Sequence, residues 1–275
     1  MSYDKGVSMK VLVTGATRNV GRLVVDELLR LGATDVRALT TDPESAALPA
    51  EVDVVTGFVG RLDTLEQALR GVDVLYLAPH PPTVTDAVAL AEQAGVGRIV
   101  DLAGAVGTGW EPIETAVEAS SLGWTHLEPG EFMDNYLMWS DQIRTTDRVR
   151  DGYRAAANAA IDLSDIAAVA AHAILDDSHV GKSYELTGPE CLRRDEKLAA
   201  IASVLGREIS YVELDHEAAV AELAAGMGEY ARWYVDGVAS LVEAPQLAVQ
   251  TVAEITGRPG TTFAQWAAAN VAAFR

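Results

Sequence analysis

The sequence predicts a doubly wound α/β fold: a parallel sheet between two layers of helix, joined to a smaller, mostly helical C-terminal region. Three observations predict it. Apolar, β-rich runs alternate with amphipathic segments through the first half of the chain, the rhythm of strand–helix–strand units. Gly32, Gly71, Gly95 and Gly123 fall where successive helical segments should stop. The first apolar run also passes without a gap into a glycine turn and a helix, as Val11-Leu12-Val13-Thr14-Gly15-Ala16-Thr17-Arg18-Asn19-Val20-Gly21.

Strands are expected over 10–14, 35–40, 52–56, 72–78, 98–103 and 124–127. They are near-continuous apolar runs, as required of strands covered on both faces. Helices are expected between them over 19–31, 62–70, 83–94 and 111–121, with Thr83 or Thr85 suited to an N-cap and Pro112 to a first turn. After about residue 150 the rhythm changes. Ser164-Asp165 opens a helix to Leu175, 182–186 and 208–213 read as strands, 194–205 reads as a helix, and alanine-rich helices such as 216–225 and 229–243 follow. The charged stretch from Arg144 to Arg154 reads as a solvated helix end or loop. The partition is thus a disordered leader over 1–8, a nucleotide-binding core over 9–150, and a region over 151–275 that packs on the core and completes a substrate pocket.

A chain of 275 residues, 49% apolar and 6% aromatic, can bury one large core. No apolar run approaches the roughly 18 residues needed to span a membrane. Forty acidic residues against 21 basic give a net charge of −19, without the basic face of a nucleic-acid binder. The lone Cys191 excludes an intrachain disulfide framework and fits a reducing, cytoplasmic setting. No histidine pair or cysteine cluster has metal-site spacing, so no metal is expected. The expected partner is a small-molecule substrate, and the alanine-rich helices leave room for a homo-oligomer.

The opening motif is that of a dinucleotide-binding unit. Gly15 lets the chain turn off the strand, Gly21 lets the helix approach the sheet, and the free N–H groups of the helix's first turn face a diphosphate. Further segments match in order: Val36-Arg37-Ala38-Leu39-Thr40; Gly123-Trp124-Thr125 with Leu127 and Pro129-Gly130; Phe132-Met133-Asp134-Asn135; Asp165-Ile166-Ala167; Tyr184-Glu185-Leu186-Thr187-Gly188-Pro189; and Thr256-Gly257-Arg258-Pro259. Together they resemble the NmrA-like type of atypical short-chain dehydrogenase/reductase, from about Met9 to Arg275. The resemblance implies NAD(P) binding, often with reduction of quinones, enones or aryl compounds. It also extends to members that sense NADP(H) and act through protein partners.

On that reading the cofactor-binding residues are Gly15, Thr17, Arg18, Asn19, Val20, Gly21, Thr40, Thr41, Ala78 and Pro79. Three departures qualify it. Arg18 replaces the middle glycine of the phosphate turn, where it either crowds the pyrophosphate or pairs with a 2′-phosphate. No acidic residue ends the second strand to hold the ribose of NAD; Thr40-Thr41 stand there, so the cofactor is NADP or NAD, with NADP ahead. None of the eight tyrosines is followed four residues later by lysine, which removes the usual proton-transfer pair. Glu128 also stands where relatives often show arginine.

His80, Glu131 and Tyr136 are the candidate catalytic residues. Histidine titrates near neutrality, Glu131 reads either as a solvated loop acid or as a carboxyl whose pKa is raised by apolar Phe132 and Met133 beside it, and Tyr136 carries a phenol. Trp110, Trp139 and Trp233 are candidate pocket walls. The leading function is an NAD(P)H-dependent oxidoreductase acting on an enone, quinone or imine, acceptors that need no strong acid. A non-redox enzyme (cyclase, isomerase or lyase) with a degenerate nucleotide site and a non-catalytic NADP(H) sensor stay open as alternatives.

Overall fold

The computed structural model describes residues 9–104 and 109–275; the leader expected over 1–8 lies outside the described residues. β1 (Val11–Val13), α1 (Asn19–Arg30), β2 (Val36–Thr40), β3 (Asp53–Thr56), α2 (Leu62–Ala68), β4 (Val74–Leu77), α3 (Val84–Gln93), β5 (Arg98–Leu102), α4 (Glu111–Glu118) and β6 (Gly123–Pro129) follow the expected alternation. Next come α5 (Ser140–Thr146), β7 (Arg148–Gly152), β8 (Ala157–Asn158), α6 (Leu163–Leu175), β9 (Lys182–Leu186), β10 (Leu192–Arg193), α7 (Arg194–Leu205) and β11 (Ser210–Leu214). The chain closes with α8 (His216–Met227), α9 (Tyr230–Ser240), α10 (Thr251–Thr256) and α11 (Phe263–Ala269).

These elements fold as two compact units. The first takes the chain up to Pro129 together with Leu163–Leu186, and the second takes Gly130–Asp162 with Thr187–Arg275. The division therefore falls at Pro129 and not near residue 150, because α5, β7 and β8 belong to the second unit, and both units are discontinuous because α6 and β9 return to the first.

The first unit is built on a seven-stranded sheet in the order β3-β2-β1-β4-β5-β6-β9, with every pairing parallel. The winding reverses between β1 and β4, and such a switch point opens a ligand crevice at the strands' carboxyl ends. Alternation along the strands builds the two faces. Leu12, Leu39, Leu75, Leu77 and Ile99 form one core with Leu65 and Ala68 of α2, Ala87 and Val88 of α3, and Ile113 and Val117 of α4. Val11 and Val13 point the other way, where α1 and α6 pack on each other. The segment 182–186, expected as a strand of the C-terminal region, pairs as β9 with β6, Thr125 opposite Lys182.

The second unit is mostly helical, around Tyr136, Trp139, Ile143, Val149, Leu198, Ile201, Phe263 and Trp266. It holds two small strand pairs, β7 with β11 in parallel and β8 with β10 antiparallel. The stretch expected as solvated between Arg144 and Arg154 is in part β7, whose alternation turns Val149 and Asp151 inward while Arg148 and Arg150 stay exposed. Asp151 tolerates burial because Trp139 Nε1 donates to it at 2.7 Å and Arg194 forms an ion pair with it. No helix among the described residues is long and apolar enough to cross a membrane.

Candidate functional site

In the first unit the turn after β1 sits at the switch point. Gly15 has φ +62°, a left-handed conformation that glycine adopts without strain. Below it Thr14 stitches β1 to β4. Its Oγ1 donates to the Tyr76 carbonyl at 3.0 Å and accepts from the Ala78 N–H at 2.8 Å. Arg18 is the N-cap of α1, and its own side chain does not cap the helix. The N–H groups of Asn19, Val20 and Gly21 thus begin the helix without an intrahelical acceptor. A β-carbon on Gly21 would lie 2.4 Å from the Gly15 carbonyl oxygen, so the helix reaches the turn only because residue 21 has no side chain.

The remaining cofactor candidates surround this turn. Thr17, Arg18 and Asn19 are exposed, whereas Val20 is buried and has only backbone to offer. Thr17 and Thr40 share a hydrogen bond between hydroxyls, 3.0 Å, and Thr40 also accepts from the Asp42 N–H. Thr41 is exposed beside them, and Ala78 and Pro79 are half-buried at the end of β4. Arg22, not singled out from sequence, reaches from α1 to the Ala47 carbonyl at 2.9 Å and pins the loop that follows β2. Arg37 is committed elsewhere, to Asp53 at 2.7 Å and the Ala68 carbonyl at 2.8 Å.

The arrangement fits a dinucleotide. A helix N-terminus with open N–H groups, no acidic residue in its first turn and an exposed arginine at its cap presents positive potential to a phosphate. Beside it Thr17 and Thr41 are exposed, while Thr40 is buried with its hydroxyl bonded to that of Thr17.

His80 follows β4 in the same unit. Its Nδ1 lies 2.8 Å from Thr83 Oγ1, which donates to the Val59 carbonyl at 3.2 Å, and Phe58 meets the ring edge-on at 4.9 Å. Because the Thr83 proton is spent on a carbonyl, Nδ1–H must be the donor in the first bond. Nε2 is left to face any other partner.

Glu131 and Tyr136 come together, but in the second unit, inside a buried polar cluster. Glu131 accepts from the Tyr136 hydroxyl at 2.7 Å, from Asn158 Nδ2 at 2.7 Å, and from the Tyr234 hydroxyl. Lys197 donates to Asn158 Oδ1, and the Arg194 guanidinium lies over the rings of Tyr136, Trp139 and Tyr234. Neither expectation for Glu131 holds: its carboxylate is enclosed by partners instead of solvated, and its pKa is not raised. Burial works upward, but Arg194, Lys197 and the hydrogen bonds from Tyr234 and Asn158 hold its carboxyl below the usual glutamate value. Burial, reinforced by the Glu131 charge, lifts the Tyr136 and Tyr234 phenols well above ordinary tyrosine. Burial also draws Lys197 down to about 8. Every oxygen of Glu131 is engaged, so this cluster is a packed polar core with a charged centre.

Sequence reasoning missed Asn158, Arg194, Lys197 and Tyr234. One signal was present: Arg194 and Lys197 share a helical stripe with Leu198 and Ile201, all of them buried in α7. Of the candidate walls, Trp139 is core at 1% exposure, while Trp233 is 54% exposed.

Comparison with known proteins agrees with the geometry of the first unit. A family described as NAD(P)H-binding matches residues 15–177. The (4-alkanoyl-5-oxo-2,5-dihydrofuran-3-yl)methyl phosphate reductase of Streptomyces griseus is 35% identical, over 96% of this chain and 99% of the relative. The NAD(P)H azoreductase of Xenophilus azovorans is 32% identical, again over 96% of this chain and 99% of the relative. In fold, the NADPH-dependent quinone oxidoreductase of Escherichia coli in complex with NADPH superposes with a TM-score of 0.85 at 22% identity, covering 94% of this chain and 99% of that one.

Proposed function

The chain belongs to the NAD(P)H-binding family, and on that premise we propose that it is an NADPH-using reductase of small, electron-poor organic acceptors of the enone, quinone or imine type. The observation that carries the proposal is the open turn from Gly15 to Gly21, together with relatives that are reductases along their whole length. The absence of a Tyr-x-x-x-Lys pair directs the choice of acceptor. A conjugated acceptor spreads the charge it receives, and an iminium starts positive, so neither demands a strong acid. The named activities of the relatives, on an oxo-dihydrofuran and on an azo compound, are of this kind.

When bound, the reduced nicotinamide supplies a hydride; the protein binds, orients and handles the proton. The N–H groups of Asn19, Val20 and Gly21 would hold the pyrophosphate. Thr17, Thr40 and Thr41 would hold ribose or phosphate oxygens, and Ala78 and Pro79 would line the wall beside them. Arg18 would pair with the 2′-phosphate, a bidentate match that NADH lacks. His80 would give a proton from Nε2 as the imidazolium, its orientation fixed through Nδ1 by Thr83. The single cysteine fits a cytoplasmic enzyme, and a small-molecule substrate suffices as partner.

The test is calorimetric titration with NADPH and NADH separately, followed by turnover with a quinone, an enone and an azo dye. Tight NADPH binding with turnover of at least one acceptor is expected. Binding without turnover would transfer the protein to the NADP(H) sensors. Failure to bind either nucleotide while folded would overturn the proposal in favour of non-redox chemistry.

A further inference from the structure

The first unit contains a second buried titratable cluster, away from the phosphate turn, at the ends of β5 and β6. His126 on β6 is 1% exposed and Asp101 on β5 is fully buried. They stand opposite each other in register, with His126 Nδ1 2.7 Å from Asp101 Oδ2. Trp124 stacks on the imidazole at 4.2 Å. The far nitrogen, Nε2, points to α4 and lies 3.7 Å from Glu118 Oε1. It has no hydrogen-bond partner among the described residues, and neither do Asp101 Oδ1 and Glu114 Oε1.

The surrounding charge is one-sided. α4 contributes Glu114 and Glu118, one helical turn apart and so on one face. β5 contributes Asp101, and Glu128 follows two residues later on His126's own strand. On the other side β9 places uncharged Ser183 opposite His126 and Glu185 opposite Glu128. Beyond β5, Tyr76 has a buried hydroxyl kept protonated by burial and by the Asp101 charge. Among these groups only His126 can be positive.

We propose that His126 is a proton-operated clasp, holding α4 to the sheet through Asp101 and the α4 carboxylates while the imidazole is charged and loosening it when the imidazole is neutral. With a charged ring, β5, β6 and α4 are joined through a cation that every neighbouring carboxylate favours. With a neutral ring, Asp101, Glu114, Glu118 and Glu128 face one another with no cation among the described groups around them to offset their charge. Although burial opposes the charged form, the bond to Asp101 and the field of Glu114 and Glu118 hold the His126 pKa above the ordinary histidine value. Burial likewise lifts Asp101 and Glu114. All three shifts are upward, so docking of α4 is strongest at low pH and is lost as pH rises through the raised value.

The test needs no cofactor, so its outcome is independent of nucleotide binding. Carbon-13 histidine labelling follows the five imidazoles by NMR against pH, with His126→Gln assigning the resonance. Amide exchange of Glu111–Glu118 is followed over the same range, corrected for intrinsic rates, with α1, which packs on the other face of the sheet, as the internal control. His126 should titrate above free histidine, and α4, but not α1, should lose about fivefold in protection across that transition. In the double variant Glu114→Gln, Glu118→Gln the His126 midpoint should fall and α4 protection should become independent of pH. An imidazole that titrates at or below free histidine would overturn the proposal. So would α4 protection that ignores the titration, or one that keeps its pH dependence in the double variant.

Discussion

Gly21→Ala separates the phosphate turn from the stability of the fold. The added carbon would sit 2.4 Å from the Gly15 carbonyl oxygen, 2.8 Å from the Gly15 carbonyl carbon and 3.0 Å from the Thr14 oxygen. All three are backbone atoms, so no side chain can swing aside, and the first turn of α1 must retreat by about 1 Å to restore van der Waals contact. Overpacking of this kind costs about 1–3 kcal/mol. Alanine recovers about 1 kcal/mol of that through its better helix propensity. The net destabilisation is therefore small, on the order of 1 kcal/mol, or a few degrees in Tm for a chain of this size. Nucleotide binding should suffer more, because the retreat moves the N–H groups of Asn19 to Gly21 from the phosphate they would hold. A loss of at least about tenfold in NADPH affinity, roughly 1.4 kcal/mol, is expected. Calorimetric titration and differential scanning calorimetry of parent and variant measure the two effects side by side. NADPH affinity unchanged within about twofold would refute the argument that the helix is held against the turn to receive a phosphate.

Arg18→Ala should weaken NADPH binding about tenfold and leave NADH within about twofold, because only the 2′-phosphate offers the guanidinium a charged partner; equal losses for both nucleotides would remove Arg18 from that role. Glu131→Gln removes the carboxylate that offsets buried Lys197 and one of the two, with Asp151, that offset buried Arg194, and should cost about 3–5 kcal/mol in denaturant unfolding, whereas a loss under about 1 kcal/mol would show that the cluster is not charged as described. The pKa of Lys197 falls from 10.5 to about 8 on folding. The stability it contributes is therefore absent below about pH 8 and grows towards pH 10.5 by roughly 1.4 kcal/mol per unit. Urea unfolding of the parent minus that of Lys197→Met, from pH 7 to 10, should show this slope; a flat difference would refute it.

What the sequence revealed and what it hid divides by distance along the chain. The strands and helices of the first unit begin and end within a few residues of expectation, because apolar runs and glycine stops are local signals. The turn from Gly15 to Gly21 was legible for the same reason: its demands fall on seven consecutive residues. Glu131 was read wrongly both as a solvated loop acid and as a carboxyl of raised pKa. Phe132 and Met133 suggested an apolar setting, but the groups that fix its charge lie 27 residues away at Asn158 and 103 away at Tyr234. β7 was hidden by its own charges, since nothing near Asp151 in sequence announces that Arg194 will neutralise it. The Asp101–His126 pair likewise exists only because β5 and β6 lie side by side.

The discontinuity of the two units sets the order in which a nascent chain can fold. The polypeptide passes from one unit to the other after Pro129, after Asp162 and after Leu186. On the ribosome, the parallel sheet can acquire its last edge strand once Leu186 has emerged. Glu131, made long before, must wait through the synthesis of Arg194 and Lys197 until Tyr234 arrives to complete its shell. Cutting the gene at any single internal point leaves at least one unit with a missing piece, so at least one of the two fragments expressed separately should be a substrate for chaperones and proteases.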